Sequence, residues 1–389
     1  MSQAIRVLIV DDSALMRQVI AGLIEQDPSI QVVGYASDGR EAIALAQKLR
    51  PDIVTMDVRM PVMDGLETTE YLMAYCPTPI LVLTASLARY DVDITFKMLD
   101  AGALEVLEKP NGHSPAELAQ ARQVLIQRIK VLARVKVVTH LRGRRRSTSS
   151  KLETITARIS ARTLSTSQAS AAPTRFTMIE ATTIANEGKT PKFPLIVIGA
   201  STGGPRIVNQ ILNNLPGDLP AAVLVVQHIA AGFSLGLAEW LGHTSPMPVR
   251  LGKEGHQIMP GEIIVAPDQT DILIDSHSVV HLSNNTASIH RPSIDISMQA
   301  AAAIFGEYAI GVLLTGMGRD GAQGMLAIKR QGGYTIAQDE TTCTIFGMPR
   351  AAIQLDAASD VLAAPAIAHH LIARVGQLAQ TLTLKRGEV

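Results

Sequence analysis

Leu195–Pro205 reads LIVIGASTGGP, and its reading decides the fold. Apolar residues rich in β-branched side chains run into Gly199. A small residue, a serine, a threonine and two glycines follow, and Pro205 stands where a helix can begin. A buried strand that ends in a tight turn before a helix has this pattern. Ser201 falls on the turn, where a hydroxyl lies beside the unpaired backbone N–H groups of a helix start. That makes Ser201 a candidate nucleophile.

Outward from this stretch, the α/β texture runs from Phe193 to the end of the chain. LIVIGA, AAVLVVQH, EIIVAP, DILID, SVVHLS, AIGVLLTG and GGYTIAQD read as strands, and helices follow Pro205, Ser234, Ser293, Asp320 and Pro349. Short strands without helices between them over Gly261–Ser283 predict an antiparallel hairpin on the sheet edge. The first part of the chain alternates in the same way. IRVLIV, QVVGYA, DIVTMD, PILVLTAS and ALEVLEKP are strands, separated by helical patterns over Ala14–Gln26, Asp38–Leu49, Glu67–Tyr75 and Asp91–Ala101, and a long helix starts at Ser114. Five such βα units predict a doubly wound parallel sheet.

Between the two lies a change of texture. Arg142–Arg146 is a basic run, and 17 of the 44 residues from Ser147 to Thr190 are Ser or Thr. This reads as a flexible linker, with the arginines a solvated charge run. The predicted organisation is therefore residues 5–122, a helix end and linker over 123–190, and a second domain over 191–385.

Composition excludes several classes. Of the 389 residues, 47% are hydrophobic and 18% charged, and Lys+Arg balance Asp+Glu at 35 each. The chain as a whole has no electrostatic case for a nucleic-acid or membrane partner. Cys76 and Cys343 fit no metal or disulfide pattern. No apolar run approaches the roughly 20 residues that span a bilayer, and the apolar run near Met1 is too short for a signal peptide. A reducing, cytoplasmic setting is expected.

Within residues 5–122, Asp11 and Asp12 follow the first strand, Asp57 ends the third, Thr84 ends the fourth and Lys109 follows the fifth. In a parallel sheet these ends share one edge, where ligands bind. Clustered carboxylates repel unless a cation sits among them or one is protonated. Oxygen ligands favour a hard ion such as Mg²⁺. Lys109 and the Thr84 hydroxyl are suited to hold an oxyanion on the central carboxylate.

VDDS, TMDVRMPVMDG, TAS and EKP, in this order and spacing, resemble the response-regulator receiver family, a flavodoxin-like fold. The resemblance implies Asp57 as phosphoacceptor and Asp11, Asp12 and Asp57 as Mg²⁺ ligands, with the backbone carbonyl of Arg59. It places Thr84 and Lys109 on the phosphoryl group and a histidine kinase as phosphodonor. Receivers often carry an aromatic switch residue three positions before the lysine. That position is Val106 here, so ring rotation cannot transmit the signal.

A serine needs a base and a group that orients the base. Of ten histidines, His228 is the one that ends an apolar strand, as Ser201 does. Adjacent parallel strands bring such ends to one edge about 5 Å apart. The orienting carboxylate should also follow a strand. Asp320 lies past AIGVLLTG among Gly316, Gly318 and Gly321, and Asp339 is its rival. The flexible glycine loop lets backbone approach a substrate, and N–H groups near Met317 are suited to an oxyanion hole.

GASTGGP, QHIAAGFS, RPSIDIS, LLTGMGRDGAQG and QDETTCTIFGMPR look like the catalytic domain of the chemotaxis protein-glutamate methylesterase/glutaminase family. That family has a receiver, a linker and this Rossmann-like doubly wound α/β domain in this order. The resemblance implies hydrolysis of γ-glutamyl methyl esters on chemoreceptors, release of methanol, and deamidation of receptor glutamines, with no cofactor for the esterase reaction. It carries over Ser201, His228 and Asp320 as the triad, with Thr202 and the Met317 N–H in support. No nucleic acid and no membrane insertion are expected. The long basic linker departs from the family. The expected regulation is steric: the unphosphorylated receiver covers the mouth of the esterase site, and phosphorylation at Asp57 releases it.

Three other readings compete. A nucleotide-binding module lacks both GxGxxG and a P-loop lysine. A transcription regulator lacks a helix-turn-helix unit. A metal hydrolase lacks clustered ligands at the spacing it needs.

Overall fold

A computed structural model describes residues 4–85, 89–110, 114–137, 191–284 and 291–387. The Arg142–Arg146 run, the Ser/Thr-rich stretch, Ser86 of the TAS motif, His113, His140 and His290 lie outside the described residues.

The first domain is β1 (Ile5–Val10), α1 (Ala14–Ile24), β2 (Ile30–Ala36), α2 (Gly39–Leu49), β3 (Ile53–Asp57), α3 (Gly65–Tyr75), β4 (Ile80–Thr84), α4 (Arg89–Ala101), β5 (Glu105–Glu108) and α5 (Pro115–Leu132). The sheet order is β2-β1-β3-β4-β5 and every pairing is parallel. Side-chain caps set the helix starts: Ser13 accepts from Met16 N–H, Asp38 from Arg40 and Glu41, Asp64 from Glu67 and Ser114 from Glu117. The order reverses between β1 and β3, so Asp11 and Asp57 flank the crevice where such sheets bind ligands.

The second domain is β6 (Leu195–Ala200), α6 (Gly204–Leu212), β7 (Ala222–Gln227), α7 (Ser234–Gly242), β8 (Val249–Leu251), β9 (Ile263–Val265), β10 (Asp271–Ile274), β11 (Val280–Ser283), α8 (Ile294–Phe305), β12 (Ala309–Leu313), α9 (Ala322–Arg330), β13 (Tyr334–Gln338), α10 (Met348–Gln354), β14 (Asp360–Leu362) and α11 (Ala364–Gly387). Seven parallel strands run β14-β13-β12-β6-β7-β9-β8. β6 and β7 are buried along their whole length, which is why both read as apolar runs, broken only by Gln227 at the end of β7. Strand order reverses about β6, so the ends of β12, β6 and β7 form the ligand-binding edge.

The expected edge hairpin is corrected in two ways. EIIVAP is not part of a hairpin: β9 lies inside the main sheet, parallel to β7 and β8. The antiparallel pair is β10–β11, a separate two-stranded sheet. Its Ile272, Ile274 and Val280 pack in one core cluster with Ile294 and Met298 of α8. The short strands β8 and β14 were not foreseen; three residues give no readable alternation.

The domains share a core. One cluster of buried side chains runs from Val54 and Phe96 of the first domain to Ile207, Leu237 and Trp240 of the second. The Phe96 and Trp240 rings stack at 5.4 Å. Gly236 of α7 lies so close to Val92 of α4 that a Cβ there would overlap it. Among the described residues, no helix is long and apolar enough to cross a membrane.

Candidate active site

Ser201 and His228 are the first residues beyond β6 and β7, and backbone bonds fix both turns. Ser201 N–H donates to Thr315 O at 3.0 Å, and His228 N–H donates to Ala200 O at 2.9 Å. Gln227, the last residue of β7, ties the turns together: its Nε2 donates to Ser201 O and to His228 O, each at 2.8 Å. The Thr315 hydroxyl donates to Thr202 O at 3.0 Å. Gly316 then passes against the serine, where a Cβ would come within 2.6 Å of Ser201 Cβ. A side chain at position 316 would displace the nucleophile candidate, so glycine is required. Met317 follows directly, half-buried.

Asp320 reaches His228, with Oδ2 2.9 Å from Nε2. With Nε2–H donated to Asp320, the basic lone pair of the ring lies on Nδ1. Asp320 does not cap its own helix, α9, where Gly321 takes the cap position at φ 89°. It caps α8 instead. Its carboxylate accepts Ile294 N–H at 2.8 Å, Asp295 N–H at 3.0 Å and Ser293 O–H at 3.1 Å. Asp295 returns the favour by accepting Gly324 N–H of α9 at 2.7 Å. Two helices thus exchange carboxylates across their N-termini. Burial alone would raise the Asp320 carboxyl. The His228 hydrogen bond and charge, with the N–H groups of Asp295 and Ile294, outweigh it and hold the group at about 2. Asp339, the rival, ties its own loop by accepting from Thr342 N and Thr341 Oγ1.

Ser201, Thr202 and His228 line a cavity of about 280 Å³ whose other wall is the first domain, with Leu104, Glu105, Val106 and Arg128. Gly203 N–H donates across the boundary to Leu104 O at 3.2 Å. Thr202 Oγ1 donates to Glu105 Oε2 at 2.7 Å, and Arg128 Nε lies 3.1 Å from Glu105 Oε1. Gln227, Thr315, Asp295, Glu105 and Arg128 are not singled out by the sequence, which marks Ser293 only as a helix start. The RPSIDIS stretch runs into the start of α8 and carries the visible signal for Ser293 and Asp295: two residue types that favour a helix N-terminus, two positions apart.

The second site is in the first domain. Lys109 Nζ bridges Asp11 Oδ2 and Asp57 Oδ2, each at 2.8 Å. Asp57 Oδ1 accepts Val58 N–H at 2.7 Å. Thr84 is buried beside them on the adjacent strand end, and its carbonyl accepts Lys109 N–H at 2.8 Å. Burial raises the Asp57 carboxyl and the charge of Asp11 adds to this, against the pull of Lys109. One carboxylate oxygen each from Asp11, Asp12 and Asp57 lie within 4.8 Å of one another. An all-oxygen donor set of this size fits Mg²⁺.

Residues 196–371 match the family model described as CheB methylesterase, and residues 7–122 match the response regulator receiver domain. The chain is 40% identical over 359 residues to a protein-glutamate methylesterase/protein-glutamine glutaminase of Anaeromyxobacter dehalogenans, covering 92% of this chain and 93% of that one. It is 37% identical over 377 residues to that of Symbiobacterium thermophilum, covering 96% and 98%. The solved catalytic domain of Thermotoga maritima CheB methylesterase is 38% identical, covers 46% of this chain and 98% of that one, and superposes with a TM-score of 0.45. The chain belongs to the CheB methylesterase family, as a member that carries a receiver domain ahead of its esterase domain.

Proposed function

We propose that the chain is a phosphorylation-activated hydrolase that removes methyl groups from glutamate γ-methyl esters on chemoreceptors and deamidates receptor glutamines. The observation that carries this reading is the His228–Asp320 pair at 2.9 Å on the same cavity edge as Ser201. Ser201 Oγ attacks the ester carbonyl while His228 takes its proton. The tetrahedral oxyanion is held by the Met317 N–H and supported by Thr202. His228 returns the proton to the methoxide, methanol leaves, and water then hydrolyses the acyl-serine by the same route. For a glutamine the leaving group is ammonia. Asp320, its carboxyl held at about 2 and so ionised near neutrality, stabilises the imidazolium that forms in between.

The residues 5–122 act as the receiver, 191–385 as the catalytic domain, and 123–190 as the connection. Asp57 takes a phosphoryl group from a histidine kinase. Thr84 and Lys109 hold the phosphoryl oxygens. Asp11, Asp12, Asp57 and the Arg59 carbonyl would hold Mg²⁺, which supplies positive charge for the transfer. The reading places the protein in the cytoplasm, where a kinase and receptor tails are accessible. The seating of α4 and β5 against α7 and the serine turn supports closure as the resting state. Phosphorylation at Asp57 shifts the population toward an open form.

The test is Ser201→Ala in the full chain. Hydrolysis of a methylated receptor, followed by mass analysis of ester loss and deamidation together, is expected to vanish, while phosphorylation of Asp57 persists. Hydrolysis that survives the substitution removes Ser201 from its role.

A further inference from the structure

One receiver side chain enters the esterase cleft as a hydrogen-bond partner. Glu105 accepts the Thr202 hydroxyl at 2.7 Å, and its other oxygen pairs with Arg128 at 3.1 Å. Thr202 follows Ser201 in sequence, and both line the same cavity. Any acyl group attacked by Ser201 Oγ must sit within covalent reach of it, and hence beside Thr202. The group found beside Thr202 is the γ-carboxyl of a glutamate. We infer that Glu105 is an internal surrogate for the substrate: its carboxyl fills the γ-acyl subsite marked by Thr202, and a glutamyl ester or glutaminyl side chain takes that place when the receiver moves away. This rests on the proposed role of Ser201 and goes further, because it assigns a receiver side chain to the subsite beside Thr202.

The charge balance of the cleft agrees with that ligand class. Burial raises the Glu105 carboxyl, against the charge of Arg128, the Thr202 hydrogen bond and the charge of His228, so the closed cleft disfavours an ionised group at this place. Arg128 sits on the receiver helix α5 and departs with it. Arg291, also on the cavity wall, shares its charge with the buried Asp271. In the closed form burial thus pushes the surrogate carboxyl toward its neutral state, the state that matches an uncharged ester or carboxamide.

The experiment uses the unphosphorylated full chain with Ser201→Ala, so that nothing is turned over. N-acetyl-L-glutamine methylamide is titrated and its Kd measured by NMR. Glu105→Ala is expected to tighten binding at least about tenfold, the equivalent of one lost competing contact set. Glu105→Gln, which keeps the Thr202 hydrogen bond but loses the Arg128 pair, lies between, and it decides the matter if the alanine chain does not fold. The gain disappears with Thr202→Val and returns with Thr202→Ser. The corresponding glutamate ligand binds more weakly than the glutamine one at pH 7. Binding by the Ala and Gln chains that is no tighter than with Glu105 overturns the surrogate, as does a gain that survives Thr202→Val. The parent reading fails separately: ester hydrolysis that survives Ser201→Ala sinks the nucleophile, whatever the ligand titrations show.

Discussion

Two aspartates with shielded carboxylates, Asp57 and Asp320, serve two sheets of the same general design, and their environments push them in opposite directions. Asp57 is raised by burial and by the neighbouring Asp11, although Lys109 bridges both carboxylates. Asp320 is as well shielded, yet it is held at about 2 by His228 and by two backbone N–H groups of a helix N-terminus. The difference is the donor set. At Asp57 one cation serves two carboxylates. At Asp320 the carboxylate has five donors: His228, Ser293, and the N–H groups of Ile294, Asp295 and Gly321. One carboxyl is raised by its surroundings, and the other is held as a charge.

The largest effect that separates the two is on turnover. Asp320→Ala is expected to lower kcat for ester hydrolysis by about 10³–10⁴-fold, the loss seen when an orienting carboxylate is removed from a triad. Uptake of phosphate at Asp57 should be unchanged. Asp57→Ala should do the reverse, removing phosphate uptake and the rise in activity that depends on it. Paired kinetics and phosphorylation assays on both chains check this. If Asp320→Ala also blocked phosphate uptake, the two sites would not be independent.

Acid stability sharpens the same contrast. The Asp320 carboxyl is lowered from its ordinary 3.8 to about 2. A depressed carboxyl contributes stability that is present above the unfolded value and is lost as pH falls toward the folded one. The contribution is about 2 kcal/mol near neutrality, and about half of it has gone by pH 3. Urea midpoints of the parent and Asp320→Asn chains should therefore converge between pH 4.5 and pH 3. A constant gap across that range would mean that the donors do not hold the charge as described.

The exchange between α8 and α9 predicts a smaller effect at a distance from the reacting atoms. Asp295 fixes the N-terminus of α9 through Gly324 N–H, and Asp320 lies just before that helix. Asp295→Ala should lower kcat about tenfold with KM nearly unchanged, as expected when a charged hydrogen bond behind a catalytic group is lost. Asp295→Asn, whose carbonyl oxygen still accepts from Gly324, should restore most of the rate. A merely structural role would instead lower the yield of folded protein in both variants and leave kcat per folded molecule intact.

What could be read from the sequence follows the physics of the sheet. Ser201 and His228 are legible because each is the residue after an apolar strand, and parallel pairing of β6 with β7 fixes their proximity. Asp11, Asp57 and Lys109 are legible for the same reason. Asp320 lies seven residues past β12 and was found through its glycines. Asp295 was not found, because its partner is an N–H group on another helix and depends on how α8 packs against α9. Glu105 was not found either: on β5 it reads as an ordinary polar strand residue, and its partner Thr202 is 97 positions away in the other domain. The β9 error has the same root. EIIVAP and DILID are close in sequence and look like a hairpin, but β9 pairs with β7 and β8, a non-local choice that local patterning does not encode.

The smallest expected effect lies at the contact between the domains. Gly236 of α7 meets Val92 of α4 with no room for a Cβ, and the Phe96–Trp240 stack lies next to it. A methyl group here must push the helices apart in the closed form, and overpacking of this kind costs about 1 kcal/mol or more. The open form has no such contact, and alanine is the better helix former there. Closure is weakened by the difference, so Gly236→Ala should raise the hydrolysis rate of the unphosphorylated chain about fivefold, as 1 kcal/mol in a two-state equilibrium requires. The phosphorylated chain should gain nothing, because its population is already open. A rise of equal size in both states would place the effect on the catalytic domain itself. No rise in either would mean that the α4–α7 contact does not hold the receiver over Ser201, and that the Thr202–Glu105 and Gly203–Leu104 bonds suffice to close the cleft.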